Sequence, residues 1–249
     1  MSLMLRRIPA AMTQFGYGLH GWVSFAVVAL PLVGLVAVLP GLERRRAAAR
    51  RAARLFLLLI GARPRLDGLE HLPAEPCIVA ANHASYLDGL VLTAALPPRF
   101  SFVIKREMTR IPVAHYLLRR LGSQFVERFD TRRGAADARR ILGLAEARQS
   151  LAFFPEGTFR PEPGLRRFQS GAFAAAVRGD LPVVPVVIRG TRQMLAGGTL
   201  LPRRSRLEVI VKPPVRHNGA ADAVPALRTA CRASILHDLP EPDLLTREP

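Results

Sequence analysis

A histidine and an aspartate lie five positions apart in the segment Asn82-His83-Ala84-Ser85-Tyr86-Leu87-Asp88. If the chain turns after Ala81 and a helix follows from Tyr86, Asp88 lies in the first helical turn, close enough to contact His83. A carboxylate that accepts a hydrogen bond from one imidazole nitrogen fixes the tautomer and leaves the other nitrogen as a base. The spacing therefore predicts a pair of side chains able to deprotonate an alcohol.

A second carboxylate follows an apolar run in Leu151-Ala152-Phe153-Phe154-Pro155-Glu156-Gly157-Thr158. An apolar strand that stops at a proline and continues through Glu-Gly-Thr brings a carboxylate and backbone N–H groups to the edge of a sheet. Glu156, Gly157 and Thr158 are therefore candidates for holding a polar group of a substrate.

Both motifs directly follow predicted strands, and ligands of open α/β sheets bind beyond the carboxyl ends of strands. Beyond about Ala62, short apolar runs alternate with helical segments, which predicts an α/β layer fold. The predicted strands are 77–81, 100–104, 124–127, 151–154, 183–188 and 207–211, and the predicted helices are 87–96, 107–121, 134–148, 169–177 and 223–236.

Four ordered motifs between about residues 77 and 215 resemble those of the glycerolipid acyltransferases typified by 1-acyl-sn-glycerol-3-phosphate acyltransferase. The motifs are Asn82-His83-Ala84-Ser85-Tyr86-Leu87-Asp88, Gly122-Ser123-Gln124-Phe125-Val126-Glu127-Arg128, Phe154-Pro155-Glu156-Gly157-Thr158 and Val184-Pro185-Val186. The resemblance implies a mixed central sheet flanked by helices. One departure is that Phe159-Arg160 follows Thr158, where many members of the family have Arg-Ser.

The resemblance also implies the roles of the site residues. His83 would remove the proton from a lysophospholipid hydroxyl, and Asp88 would orient the imidazole. Arg128, with Lys105 or Arg160, would bind the phosphate of the acceptor. The segment Glu156-Gly157-Thr158 would hold its glycerol portion. An acyl thioester, either acyl-CoA or acyl carrier protein, would be the donor, 1-acyl-sn-glycerol 3-phosphate the acceptor, and neither a cofactor nor a metal ion would be needed.

The apolar and basic segments near the N-terminus predict contact with a membrane. Residues 15–42 contain no Asp, Glu, Lys or Arg, residues 22–39 are almost wholly apolar, and six arginines follow between positions 44 and 54. About 20 such residues can cross a bilayer, and the arginines would place the downstream domain on the cytoplasmic face. Pro31 and a second apolar run at 55–60 leave open two helices lying in one leaflet instead. We therefore expect membrane-associated helices in 1–61, a catalytic domain in 62–239 and a loose tail in 240–249.

The composition leaves other functions open. The chain has 36 Lys and Arg against 19 Asp and Glu, a net charge of +17, which favours an anionic partner such as phospholipid head groups or an acidic donor. An acyltransferase for another lysolipid, such as a lyso-aminolipid, and a non-enzymatic basic membrane adaptor are alternatives. An aromatic content of 6% without aromatic and basic residues interleaved argues against nucleic acid. A metal hydrolase is disfavoured because the chain has no His-Glu-x-x-His, and two separated cysteines indicate a reducing compartment.

Overall fold

The computed structural model describes residues 2–127 and 131–245, with the side chains of 12–127 and 133–245. Its helices alternate with strands after two N-terminal helices, as the sequence predicts. The helices are α1 (Ser2–Val38), α2 (Leu42–Leu59), α3 (Asp88–Ala95), α4 (Pro112–Arg120), α5 (Thr131–Glu146), α6 (Gly171–Gly179), α7 (Thr191–Met194) and α8 (Ala223–Asp238), and two short 3₁₀ helices cover Leu69–His71 and Arg106–Arg110.

Seven strands form one mixed sheet. They are β1 (Arg65–Asp67), β2 (Ile78–Ala81), β3 (Ser101–Lys105), β4 (Gln124–Val126), β5 (Leu151–Phe153), β6 (Val183–Arg189) and β7 (Glu208–Val211), in the spatial order β1-β7-β6-β2-β5-β3-β4. Neighbouring strands are parallel except β6 and β7, which are antiparallel. The predicted mixed central sheet is therefore confirmed.

The central strands are apolar on both faces because helices cover both sides of the sheet. Val79 and Ala81 of β2 face the cluster that includes Phe56 and Leu57 of α2, whereas the alternate residues of β2 face the cluster built by α5, α6 and α8. Helix α2 is thus part of the main core. Residues 1–61 were expected to form a separate membrane-associated unit, but the second half of that segment belongs to the core cluster that also contains residues of α3 and the sheet.

Three arginines of α2 bind the protein itself, although the net charge favoured an anionic partner such as phospholipid head groups. Arg46, Arg50 and Arg54 recur every four residues, so they share one face of the helix. Arg46 donates to the carbonyls of Leu121 and Arg99, each at 2.9 Å, and Arg54 donates to the carbonyl of Ala94 at 2.8 Å. Arg50 reaches the carbonyl of Ala95 at 3.2 Å. These three guanidinium groups therefore bind carbonyl oxygens of the α/β fold, two of them at the C-terminus of α3, where cations are stabilising.

Helix α1 continues through Pro31 without a break. Within the described residues, one helical stretch, Met12–Val38, is long and apolar enough to cross a membrane. Arg120 of α4 donates to the carbonyls of Val36 and Ala37 at 3.1 and 2.7 Å, and the indole N–H of Trp22 donates to the carbonyl of Leu200 at 2.7 Å. The apolar helix is therefore attached to the rest of the fold at two well-separated points.

Several boundaries differ from the sequence-based prediction. Strand β1 was not predicted, because its exposed Arg65 and Asp67 give it little apolar character. The helix expected from residue 107 begins only at Pro112, after a 3₁₀ segment, because proline fits the first turn of a helix. Residues 240–245 were expected to be loose. Instead a parallel bridge joins Asp243 to Leu165, and ion pairs hold the segment to α7 and α8.

Candidate active site

Two loops leave the same edge of the sheet. Strands β2 and β5 are parallel neighbours, with Ala80 paired to Phe153, so their carboxyl ends meet. The loop that carries His83 follows β2, and the loop that carries Glu156 follows β5. Two motifs whose starts lie 72 residues apart in the chain are thereby brought into contact.

His83 and Asp88 form the predicted hydrogen bond. The imidazole Nδ1 lies 2.9 Å from Asp88 Oδ2, and the aspartate side chain is fully buried while that of His83 is 18% exposed. Asp88 Oδ2 also accepts the backbone N–H groups of Ala84 at 2.6 Å and Ser85 at 2.8 Å. Because an ionised carboxylate can only accept, Nδ1 carries the proton and Nε2 keeps a lone pair for acid–base chemistry.

Two further polar residues of the same loop hold it in place. The side-chain amide of Asn82 donates to the carbonyl of Ile188 at 2.9 Å and accepts its N–H at 2.7 Å, which extends the pairing between β2 and β6. The hydroxyl of Ser85 donates to the carbonyl of Leu195 at 2.6 Å. Neither residue was assigned a role from the sequence, although both belong to the motif.

Glu156 contacts backbone rather than open space. Its Oε1 accepts the N–H of His83 at 2.7 Å and its Oε2 accepts the N–H of Arg166 at 3.0 Å, and the residue is 5% exposed. Burial raises the pKa of Glu156 to about 7, although the two backbone donors act in the opposite direction. The sequence suggested a contact with the glycerol portion of a substrate, whereas both oxygens are engaged in joining two loops.

Aromatic rings surround the imidazole. Phe154 stacks on His83 with ring centroids 4.3 Å apart, and Phe159 meets it edge to face at 4.6 Å. Phe159 also contacts Tyr86 edge to face at 4.7 Å. Phe159 is the residue at which the sequence departs from the family pattern, so the departure replaces a basic side chain by a ring that packs on the histidine. This packing leaves few orientations open to the imidazole.

An apolar cavity of about 390 Å³ opens beside His83. Its walls come from α1, α2, α3 and β3, with Phe25, Phe56, Leu90 and Phe102 among the lining residues. The volume lies within the range of small-molecule sites, and the walls suit a hydrocarbon chain.

The other predicted binding residues fall into three groups. Lys105, Gly157 and Thr158 line the cavity together with His83. Arg160 is exposed and does not line it, although its carbonyl accepts a hydrogen bond from Arg192 at 2.6 Å. Arg128 lies outside the described residues. Across the side chains described, no group of three His, Cys, Asp or Glu is arranged to hold a metal ion.

The fold and the site define an α/β enzyme in which a histidine–aspartate pair stands beside an apolar cavity. The family model described as Acyltransferase matches residues 63–189, and the chain belongs to the acyltransferase family. A 1-acyl-sn-glycerol-3-phosphate acyltransferase alpha of Bos taurus is 32% identical over 231 residues, covering 87% of this chain and 76% of that protein.

Two further relatives define the extent of the similarity. A chloroplastic 1-acyl-sn-glycerol-3-phosphate acyltransferase of Brassica napus is 31% identical over 153 residues, which are 60% of this chain. The match spans only 44% of the length of that plant protein. The crystal structure of the 1-acyl-sn-glycerophosphate acyltransferase PlsC from Thermotoga maritima superposes with a TM-score of 0.75, covering 91% of this chain and 96% of that one. At 18% identity this match shows the shared fold.

Proposed function

We propose that the protein transfers a fatty acyl group from an acyl thioester to the free hydroxyl of a lysophospholipid, with 1-acyl-sn-glycerol 3-phosphate as the acceptor and phosphatidic acid as the product. The observation that carries this proposal is the hydrogen bond between His83 and Asp88 at the wall of the apolar cavity. The names of the relatives support the choice of substrates.

In this mechanism the Nε2 of His83 removes the proton from the acceptor hydroxyl. At the same time the oxygen of that hydroxyl attacks the thioester carbonyl. The tetrahedral intermediate collapses with cleavage of the C–S bond, and the imidazolium returns the proton to the leaving thiolate. Asp88 holds the imidazole with Nε2 free and stabilises its charged form. The acyl chain lies in the apolar cavity, and no covalent acyl-enzyme is required.

The phosphate of the acceptor requires cationic side chains near His83. Lys105 lines the cavity beside His83 and is the last residue of β3. Lys105 pairs with Val126, the last residue of β4, and Arg128 follows Val126 by two positions in the sequence. We assign the phosphate to Arg128, whose planar guanidinium can bind it bidentately, and to Lys105. We propose that Glu156 joins the two loops and that Gly157 and Thr158 contact the glycerol portion of the acceptor.

The membrane contact we propose is monotopic. The contacts of α1 with Leu200 at Trp22 and with Arg120 at Val36 and Ala37 lie about 22 Å apart along the helix, at 1.5 Å per residue. These contacts bind the helix to one domain over a length close to the thickness of a bilayer. If the helix crossed the bilayer, that domain could not stay entirely on one side of it. Its outer face is apolar and exposed, which suits insertion into a single leaflet. The net charge of +17 suits the anionic cytoplasmic leaflet.

Incubation of the purified protein with mixed lysolipids and either acyl-CoA or acyl-loaded acyl carrier protein, followed by mass spectrometry of the lipids, tests the reaction and both substrates together. We expect diacylated phosphatidic acid from the phosphorylated acceptor. Substitution of Arg128→Ala should raise KM for that acceptor, because phosphate binding is already present in the ground state. Absence of any acylated product with both donors would exclude the proposed reaction.

A different lysolipid acceptor remains the second candidate because of Phe159. This ring occupies the position after Thr158 and packs on His83, so a cation that many relatives place there is missing. An enzyme for a lyso-aminolipid would need less positive charge at this point. Preferential acylation of an aminolipid in the same mixture would favour this candidate over the first.

A further inference from the structure

Residues 241–245, which we call the C-terminal strap, are joined to a loop near the active site. The N–H of Leu165 donates to the carbonyl of Pro242 at 2.9 Å, and the N–H of Leu244 donates to the carbonyl of Leu165 at 3.1 Å. The N–H of Gly164 donates to Glu241 Oε2 at 2.7 Å. Gly164 has a φ of +141°, and a methyl group there would come within 2.5 Å of the Leu244 side chain. The strap therefore lies directly against the loop.

Two arginines, one on α7 and one on α8, bind both the C-terminal strap and the loop. Arg192 of α7 binds both carboxylate oxygens of Glu241, at 2.8 and 3.0 Å, and also donates to the carbonyls of Arg160 and Pro161 at 2.6 and 3.1 Å. The side chains of Arg192 and Glu241 are 11% and 12% exposed, so solvent screens this pair little. The strap is thereby coupled to the backbone just after Phe159.

Arg232 of α8 also binds both the strap and the loop. It binds the carboxylate of Asp243 and donates to the carbonyls of Leu165 and Arg166 at 2.8 and 3.1 Å. Its hydrogen bonds lower the pKa of Asp243, so the strap carboxylate is charged at neutral pH. One guanidinium therefore connects the strap to Leu165 and to Arg166, the residue whose N–H donates to Glu156.

The loop in turn reaches the histidine by two routes. The N–H of Arg166 donates to Glu156, whose other oxygen accepts the N–H of His83. Phe159, held by the contacts of Arg192 with the next two carbonyls, packs on the imidazole ring. We propose that Glu241 and Asp243 are positioning residues that act through Arg192, Arg232 and the 159–166 loop to set the imidazole of His83 for acyl transfer.

This proposal rests on the proposed function for its kinetic test. Glu241→Gln and Asp243→Asn each remove one negative charge with little change of volume, and the double variant removes both. We expect the double variant to lose roughly 10- to 100-fold in kcat, the effect of a displacement near 1 Å at a reacting group, with KM for both substrates little changed. The matched control is Glu146→Gln, which removes an exposed ion pair between Glu146 of α5 and Arg178 of α6 and should leave kcat unchanged.

A double-mutant cycle separates positioning from a general loss of stability. Glu156→Gln combined with Glu241→Gln should be non-additive in kcat, because both act through the N–H groups of the same loop, whereas Glu156→Gln combined with Glu146→Gln should be additive. Additivity of both pairs, or a rise in KM with kcat intact, would overturn the proposal.

Hydrogen–deuterium exchange gives a readout that does not depend on turnover. Peptides that cover 157–168 and 82–87 should exchange faster in Glu241→Gln and Asp243→Asn than in the wild type, and at the wild-type rate in Glu146→Gln. Unchanged exchange in both strap variants would refute the positioning role. A wild-type protein with no transferase activity would refute the proposed function, while the exchange rates would still decide for or against the strap.

Discussion

The loops after β2 and β5 each bring a buried carboxylate to the same edge of the sheet, and the two carboxylates have different partners. Asp88 accepts two backbone N–H groups and the Nδ1–H of His83, whereas Glu156 accepts two backbone N–H groups, one of them that of His83. One carboxylate acts on the ring of the histidine and the other on its backbone. Proximity to His83 therefore does not by itself give a carboxylate a role in the proposed chemistry.

Removal of the imidazole should have the largest effect. We expect His83→Ala to lower kcat by about 10³- to 10⁴-fold, because the proposed general base is lost while the cavity and both loops keep their other contacts. Initial rates of lysophosphatidic acid acylation measure this change, and circular dichroism checks the fold.

The chain offers a matched control in His237, which is 81% exposed and lies 3.0 Å from the carboxylate of the adjacent Asp238. His237→Ala removes a histidine–aspartate pair that does not line the cavity and should leave the rate unchanged. Near-normal turnover by His83→Ala would exclude His83 as the base.

Asp88→Asn should have the second-largest effect, with kcat lower by about 10²-fold. All three donors bind Oδ2, so an asparagine oxygen in that place keeps the hydrogen bonds but carries no charge to stabilise the imidazolium. In the flipped orientation its NH₂ group would face the Nδ1–H of His83 and the N–H groups of Ala84 and Ser85. The imidazole can then adopt the wrong tautomer. The same rate assay, extended over a pH series, measures the loss. A kcat equal to that of Glu156→Gln would remove the proposed difference between the two loops.

Glu156→Gln should lower kcat by roughly 10-fold, less than Asp88→Asn, because it disturbs the backbone of His83 but leaves its hydrogen bond to Asp88. The substituted amide can accept one of the two N–H groups and opposes the other. We expect KM for the acceptor to stay unchanged, since Glu156 does not reach into the cavity. A selective rise in that KM would restore the glycerol-binding role suggested by the sequence.

The pKa of Glu156 also predicts how stability depends on pH. Its ordinary value is 4.5 and burial raises it to about 7, so the folded protein binds a proton more tightly than the unfolded chain. Stability from this group is present below about pH 4.5 and is lost as the pH rises through about 7, by on the order of 3 kcal/mol. Urea unfolding in detergent at about pH 5 and about pH 8 should show this loss in the wild type and not in Glu156→Gln. Equal pH dependence in the two proteins would contradict the raised pKa.

The sequence predicted the class of fold and the contact between His83 and Asp88, for a physical reason. Central strands such as β2 and β6 are continuous apolar runs, and His83 and Asp88 are close in the chain, so a single local turn brings them together. The partners of Glu156 could not be predicted, because the N–H groups that it accepts belong to residues 73 positions before and 10 positions after it. Backbone donors carry no signature in a sequence.

The same limit applies to the arginines. In the sequence, Arg46, Arg50 and Arg54 belong to a run that suits a membrane surface, and their spacing of four is that of one helical face. What they bind are carbonyl oxygens at 94–95, 99 and 121, which become available only when α3 and β3 are folded. Arg192 and Arg232 are similar, since their partners lie in a tail that composition alone describes as loose.

The smallest expected effect comes from a change in the backbone conformation of the loop after β5. Gly157 has a φ of +82°, a left-handed conformation that costs an L-residue roughly 1–2 kcal/mol, so Gly157→Ala should lower the free energy of unfolding by about that amount. Its kcat should fall less than in Glu156→Gln, because the contact with His83 is kept. The control is Gly143→Ala within α5, where the added methyl meets no atom within 4 Å and should stabilise the helix by up to about 1 kcal/mol. We expect the free energy of unfolding to fall in Gly157→Ala and to rise in Gly143→Ala. If it does and turnover stays nearly normal in both, the loop after β5 acts through the side chain of Glu156 rather than through its backbone conformation. A larger loss of kcat in Gly157→Ala than in Glu156→Gln would reverse that conclusion.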